Sequence, residues 1–112
     1  MQALLADLHT AEPPDWVALG ALYGELARLT GSPIVELNRA VAVAEVDGPE
    51  AALRLVDGLD LDDYRYAHST RAELLRRLGR TEEARAAYDR ARALTTDEAE
   101  QRFLDRRIAE LG

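Results

Sequence analysis

Cysteine is absent from this chain, and so is lysine. Without a thiol there is no disulfide scaffold, no thiolate zinc site and no thiol nucleophile, which agrees with a reducing compartment. Without lysine there is no Schiff-base chemistry. All 14 basic residues are arginine, as a GC-rich coding bias would produce. A basic excess is missing too: Asp and Glu number 21, for a net charge of −7. That is the wrong sign for a lone module that grips phosphates, so direct nucleic-acid binding is not expected. No apolar run approaches the roughly 20 residues that span a bilayer. The start, Met1-Gln2-Ala3-Leu4-Leu5-Ala6-Asp7, has neither the basic flank nor the long apolar stretch of a signal peptide. The expectation is a cytoplasmic chain that engages no membrane.

Chemical motifs are equally scarce. No G-x-G-x-x-G or G-x-x-x-x-G-K stretch occurs, and neither His9 nor His68 stands in an H-x-x-x-H or H-E-x-x-H spacing. Ser32 and Ser69 have no recognisable nucleophile context. The acid pairs Asp62-Asp63, Glu82-Glu83 and Asp97-Glu98 fall at expected helix starts, where the dipole favours negative charge. These residues point away from catalysis and from any metal or cofactor.

What is present is a balance of 47% hydrophobic and 31% charged residues over 112 positions. That suits one globular domain, 1–112, which buries roughly two thirds of its unfolded surface. Punctuation divides it. Glu12-Pro13-Pro14-Asp15 is a break with Asp15 as N-cap, and in Thr30-Gly31-Ser32-Pro33 a glycine ends one helix while serine caps the next. Asp47-Gly48-Pro49, 58–62, Gly79-Arg80-Thr81 and Thr95-Thr96-Asp97 complete the set. Thr81-Glu82-Glu83-Ala84 begins like an N-capped helix. The spacing predicts about seven helices over 2–11, 15–30, 33–46, 49–58, 63–78, 81–94 and 97–111. Trp16, Leu19, Tyr23 and Leu26, with Leu22 beside them, share one face of the second, and Phe103, Leu104, Ile108 and Leu111 one face of the last. Ala40 to Val46 alternates as a strand could. Its intervening residues are alanine, the best helix former, and no other segment offers a strand partner. The fold class is all-α.

A shift of 32 residues superimposes two helix pairs: Arg39-Ala40 falls on Arg71-Ala72, Glu50 on Glu82, Ala52 on Ala84 and Asp57 on Asp89. The second copy resembles a tetratricopeptide repeat, with Ala72, Leu75, Gly79, Ala84, Tyr88 and Ala91 at its small, large, turn, small, aromatic and small positions. Small residues let antiparallel helices approach closely while large ones fill the groove beside them. The proline expected at the repeat's end is replaced by Thr95-Thr96. Trp16, Leu19, Gly20 and Tyr23 also fit the opening W-x-x-L-G-x-x-Y, yet Ser32-Pro33 interrupts where a second helix should run. That copy is either degenerate or a coincidence of an amphipathic helix. The architecture expected is an antiparallel, tetratricopeptide-like helix-pair array.

Asn38, Arg39, His68 and Arg71 lie within otherwise apolar strings. If their helices are largely buried, these groups must be hydrogen-bonded or paired inside the domain. On one reading they tie helices together, with Asn38 bonding a neighbouring loop. On the other, Arg39, His68 and Arg71 line a groove that receives a partner segment. Arg39 and Arg71, one repeat apart, should project to the same side and form a local positive spot suited to an acidic segment. If the arginine is structural, Arg39→Ala should cost several kcal/mol by stranding a buried acid. The run Arg76, Arg77, Arg80, Arg85 with Glu73, Glu82 and Glu83 reads as a solvated mixed-charge face.

Particular strings carry a family resemblance: Asp15-Trp16, Leu22-Tyr23, Ser32-Pro33-Ile34-Val35-Glu36-Leu37-Asn38-Arg39-Ala40-Val41-Ala42, Asp47-Gly48-Pro49-Glu50-Ala51, 71–80, 83–88 and 103–107. In this order they resemble the C-terminal, tetratricopeptide-like extension of a group of bacterial extracytoplasmic-function RNA polymerase sigma factors. The resemblance covers nearly the whole chain, and S-P-x-V-x-L-N-R-A-V-A is its most specific part. It implies a parent acting in transcription initiation, whose core regions, and through them RNA polymerase and promoter DNA, would be the partners, with another regulatory protein as a further one. No helix-turn-helix or basic promoter-reading segment is present. The chain is too short for two core regions plus the extension, so an excised domain or split relative is expected. The alternatives are a freestanding tetratricopeptide-like adaptor and a small ligand-binding helical domain.

Overall fold

The computed structural model describes residues 15–111. They form six helices and, among the described residues, no strand: α1 (Trp16–Thr30), α2 (Pro33–Asp47), α3 (Pro49–Asp57), α4 (Arg65–Arg77), α5 (Thr81–Leu94) and α6 (Glu98–Glu110). The all-α class holds. The seventh expected helix, 2–11, lies outside the described residues. The Ala40–Val46 stretch is helical throughout.

Local chemistry accounts for the boundaries. The Asp15 carboxylate accepts from the Ala18 amide at 3.0 Å, Ser32 Oγ from Val35 at 3.4 Å and Asp97 from Ala99 at 3.0 Å. Each cap satisfies a donor that the first helical turn leaves open. Pro33 and Pro49 occupy first-turn positions, where the missing amide costs nothing. Two expectations need correcting. Thr81 does not cap α5: it is the first helical residue, and Arg80 before it supplies no side-chain cap because a guanidinium has no acceptor to offer; it donates to Glu83 instead. Asp62-Asp63 does not open a helix either. The pair lies in the turn before α4, which starts at Arg65.

The α4–α5 turn is closed by a Schellman motif. The Arg80 amide donates to the Leu75 carbonyl at 2.9 Å and the Gly79 amide to Arg76 at 3.0 Å. Gly79 sits at φ 75°, in the left-handed region that a side chain disfavours. Gly79→Ala should therefore cost about 1–2 kcal/mol, and a denaturant titration that shows no loss would contradict this geometry.

The core is built largely from alanine. Ala40, Ala52, Ala72, Ala84 and Ala91 are fully buried, together with Leu75 and Tyr88, and Leu37, Leu53, Val56, Leu74 and Leu104 join them in one contiguous cluster. Methyl side chains let α2 to α5 pack closely in sequence, and each leucine or tyrosine fills the space between. α1 lies outside this cluster. Its packing neighbour among the described helices is α2. A Cβ on Gly20 would stand 3.5 Å from Ala42 Cβ, and one on Gly24 3.4 Å from Arg39 Cδ. Since 20 faces 42 and 24 faces 39, the two helices run antiparallel.

Candidate functional site

The four polar residues singled out in the sequence reach the surface, and the premise that they are buried is overturned. Asn38 is exposed; Arg39, His68 and Arg71 are half-buried. A helix packed on two or three neighbours still has an outer stripe, and these residues occupy it.

Arg39 lies across α1, its stem passing over Gly24. Its Nε donates to Glu36 Oε1 at 2.9 Å and its Nη2 to Oε2 at 3.2 Å. That hydrogen bond, against a smaller opposing desolvation, raises the guanidinium pKa further above its ordinary value. Arg71 Nε donates to Asp57 Oδ1 at 2.7 Å, tying α4 to the end of α3. His68 Nε2 donates to the Asp62 carbonyl at 2.7 Å. Since a carbonyl only accepts, that nitrogen carries the proton.

Arg39 and Arg71 flank the 58–60 segment without sharing a pocket. A broad concavity of about 600 Å³ lies against Arg28, Ser32, Glu36, Arg39 and Leu59. A smaller one of about 260 Å³ is lined by Asp57, Leu59, Asp62, His68 and Arg71. Leu59 borders both. The positive spot expected here does not form, because Glu36 pairs with Arg39 and Asp57 with Arg71 and each neutralises its guanidinium. Arg39 and Glu36 keep 32% and 26% of their side-chain surface in solvent, so losing the pair strands no buried charge. Arg39→Ala should cost less than about 1 kcal/mol, in place of the several expected above, and a thermal melt checks it.

A second surface differs from the sequence expectation, which placed Phe103 with Leu104, Ile108 and Leu111 on one apolar face of the last helix: only Leu104 of the four is buried. On α4 and α6, Tyr66 and Phe103 are exposed at 44% and 38%. The Arg65 guanidinium carbon sits 4.6 Å from the Tyr66 ring centroid, and Arg107 sits 5.2 Å from that of Phe103. Tyr64 meets Tyr66 edge-on at 5.5 Å. Both arginines are held by acids across the helix boundary. Arg65 Nε donates to the two Glu100 oxygens at 3.0 and 3.1 Å, and Arg107 Nε to Glu73 Oε1 at 2.9 Å. Arg76 takes the other Glu73 oxygen through Nε and Nη2 at 3.0 and 2.9 Å. Glu73 and Arg76 thus belong to a network joining α4 to α6 rather than to a free mixed-charge face. Exposed aromatic rings beside oriented arginines are the composition enriched at protein interfaces.

The repeat positions fall as follows. Ala40, Ala52, Ala72, Leu75, Ala84, Tyr88 and Ala91 lie in the core, and Gly79 makes the turn. Leu19 is buried, but Trp16, Gly20 and Tyr23 on α1 are half-covered. Among the described residues no group of three His, Asp or Glu side chains converges to hold a metal, and no described helix is long and apolar enough to cross a membrane.

No family model matches the chain, and no solved structure gives a significant match. The chain is similar to an uncharacterized protein of Rhizobium meliloti (strain 1021), with 47% identity over 118 residues. The match covers all of this chain and 28% of that protein. The chain therefore spans little more than a quarter of the length of the curated relative it matches.

Proposed function

We propose that this chain is the helical-repeat extension of a bacterial extracytoplasmic-function sigma factor, acting in the cytoplasm as a non-catalytic protein-interaction domain whose parent serves in transcription initiation. The S-P-x-V-x-L-N-R-A-V-A string at Ser32 to Ala42 carries the reading. The match to little more than a quarter of a longer protein supports it, since an extension is a module within a larger chain.

The tetratricopeptide-like arrangement belongs to the same proposal. It is supported by ion pairs whose partners are about one repeat apart. Glu45 on α2 meets Arg77 on α4 at 3.6 Å, with 77 − 45 = 32. Arg65 and Glu100 are 35 positions apart and Glu73 and Arg107 34, both joining α4 to α6. In a repeat array alternate helices lie side by side, so residues one period apart become neighbours.

The test is a titration of this chain with the core regions of its parent sigma factor. Saturable binding is expected, weakened about tenfold or more when Tyr66 and Phe103 are both replaced by alanine, since exposed aromatics tend to anchor interfaces. Arg39→Ala, which leaves folding intact, separates a contact role for the α2 surface from a structural one. Absence of binding to the core regions rejects the proposal. The chain alone should show no appreciable affinity for random duplex DNA at physiological salt, as its charge of −7 dictates; tight, salt-sensitive binding would contradict it.

A further inference from the structure

α4 and α6 meet through long side chains along one seam. Arg65 reaches Glu100 and Arg107 reaches Glu73, so residue numbers rise together and the two helices run parallel. Tyr66 and Phe103 stand exposed beside that seam, each with a guanidinium over its ring. Those two arginines are already paired with acids and have no charge to spare. Spare charge stands next to them. Arg102 and Arg106 are exposed on α6, and neither forms an ion pair among the described residues. Arg106 follows Phe103 by three positions and Arg102 by four, so it neighbours both on the helix surface. Of the acids nearby on α6, Asp105 is held by Arg92 and Glu110 by Arg107. Glu98, one turn before Arg102, is exposed and pairs with neither arginine.

We propose that this face binds an acidic polypeptide segment, one that sets an aliphatic or aromatic side chain against Tyr66 and Phe103 and carboxylates against Arg106 and Arg102. Its binding rests on the reading above that Tyr66 and Phe103 form an interface, and gives that interface the chemistry of its partner. Charge complementarity selects the occupant. A guanidinium matches a carboxylate through parallel N–H donors, and at Arg102 and Arg106 it can do so without breaking an existing pair. Arg39 and Arg71 differ, since an incoming acid there would have to displace Glu36 or Asp57. A basic segment would meet the unpaired guanidiniums as like charge. A nucleic-acid strand offers anions and stacking surfaces as well, yet it carries a charge at every phosphate, and the net charge of −7 on the chain opposes it. A short segment with two carboxylates needs only the two free arginines. Aromatic anchors bordered by exposed charges have the layout of an interface centre and its polar rim.

The test titrates the full 112-residue chain with a short labelled peptide in which glutamates flank leucine and phenylalanine, and with its twin in which lysine replaces every glutamate. The acidic peptide should bind about tenfold or more tightly than the basic one, and its affinity should fall as salt rises. Arg102→Gln with Arg106→Gln keeps good helix formers at both exposed positions. That variant should melt as the unmodified chain does and bind the acidic peptide about fivefold or more weakly. Absence of acidic-peptide binding, equal affinity for the two peptides, or an unchanged affinity in the glutamine variant each overturns the inference. Tighter binding of a single-stranded oligonucleotide overturns it too, by showing that phosphates are the better match. The glutamine variant also separates this inference from the proposed function. Core regions that bind it as well as the unmodified chain reject the acidic segment and leave the sigma factor reading standing. Core regions that bind neither form reject that reading, while the peptide titration still decides this one.

Discussion

Tyr88→Ala should lower stability by about 3–5 kcal/mol, the range for removing a large aromatic ring from a closed core. Tyr88 has no solvent exposure and is the largest fully buried side chain among the described residues, set among the alanines where α4 and α5 meet. Small neighbours cannot move far enough to fill the space of a ring. Tyr88→Phe should behave differently. The hydroxyl is buried and makes no hydrogen bond of ordinary geometry, although Glu73 and Arg76 lie near enough to influence it. Removing an unsatisfied polar atom is neutral or stabilising. A loss greater than about 1 kcal/mol in the Phe variant would show that the hydroxyl has a partner.

The same residue predicts an alkaline edge. Burial, with the Glu73 charge adding to it, pushes the Tyr88 pKa up to about 12. An unfolded tyrosine ionises near 10. Between these values the folded state binds the extra proton, so unfolding becomes easier as pH rises. The contribution is complete below pH about 10 and is lost progressively towards about 12. Tyr88→Phe should remove that slope. Urea midpoints compared at pH 8 and pH 11 would reveal it, and equal pH dependence in both proteins would exclude Tyr88 as its source.

The second large effect is overpacking. Ala72→Leu or Ala84→Leu should each cost about 1–3 kcal/mol, since both methyl groups are fully buried in the shared core. By contrast Ala86→Leu, on the exposed side of α5, should be nearly silent. Melting curves for the three variants test the seam directly. If all three melt alike, the helices do not meet where this packing places them.

Much of the fold was legible because its signals are local. Asp15, Ser32 and Asp97 act on amides two or three residues away, and Gly31 and Gly79 end their helices by their own backbone freedom. The buried alanines were legible through the 32-residue shift, which pairs Ala40 with Ala72 and Ala52 with Ala84. Thr81 misled because threonine suits both a cap and a first turn, and what decides between them is the Schellman closure over Gly79.

The surface was far less legible. Arg39 and Arg71 read as a pair because they are one repeat apart, but charge neutralisation depends on which acids the fold brings beside them. Glu36 is local to Arg39, whereas Asp57 reaches Arg71 only because α3 ends against α4. The Glu73–Arg107 and Arg65–Glu100 pairs are opposite charges near one repeat period, a signal that the repeat itself offered. Composition, caps and helical periodicity by themselves determined the helical class, the breaks and the small residues of the core, because those interactions act along the chain. Which polar groups are neutralised and which aromatic rings stay exposed were decided by the tertiary structure alone, because Coulombic pairing and burial depend on distances between helices that no local pattern encodes.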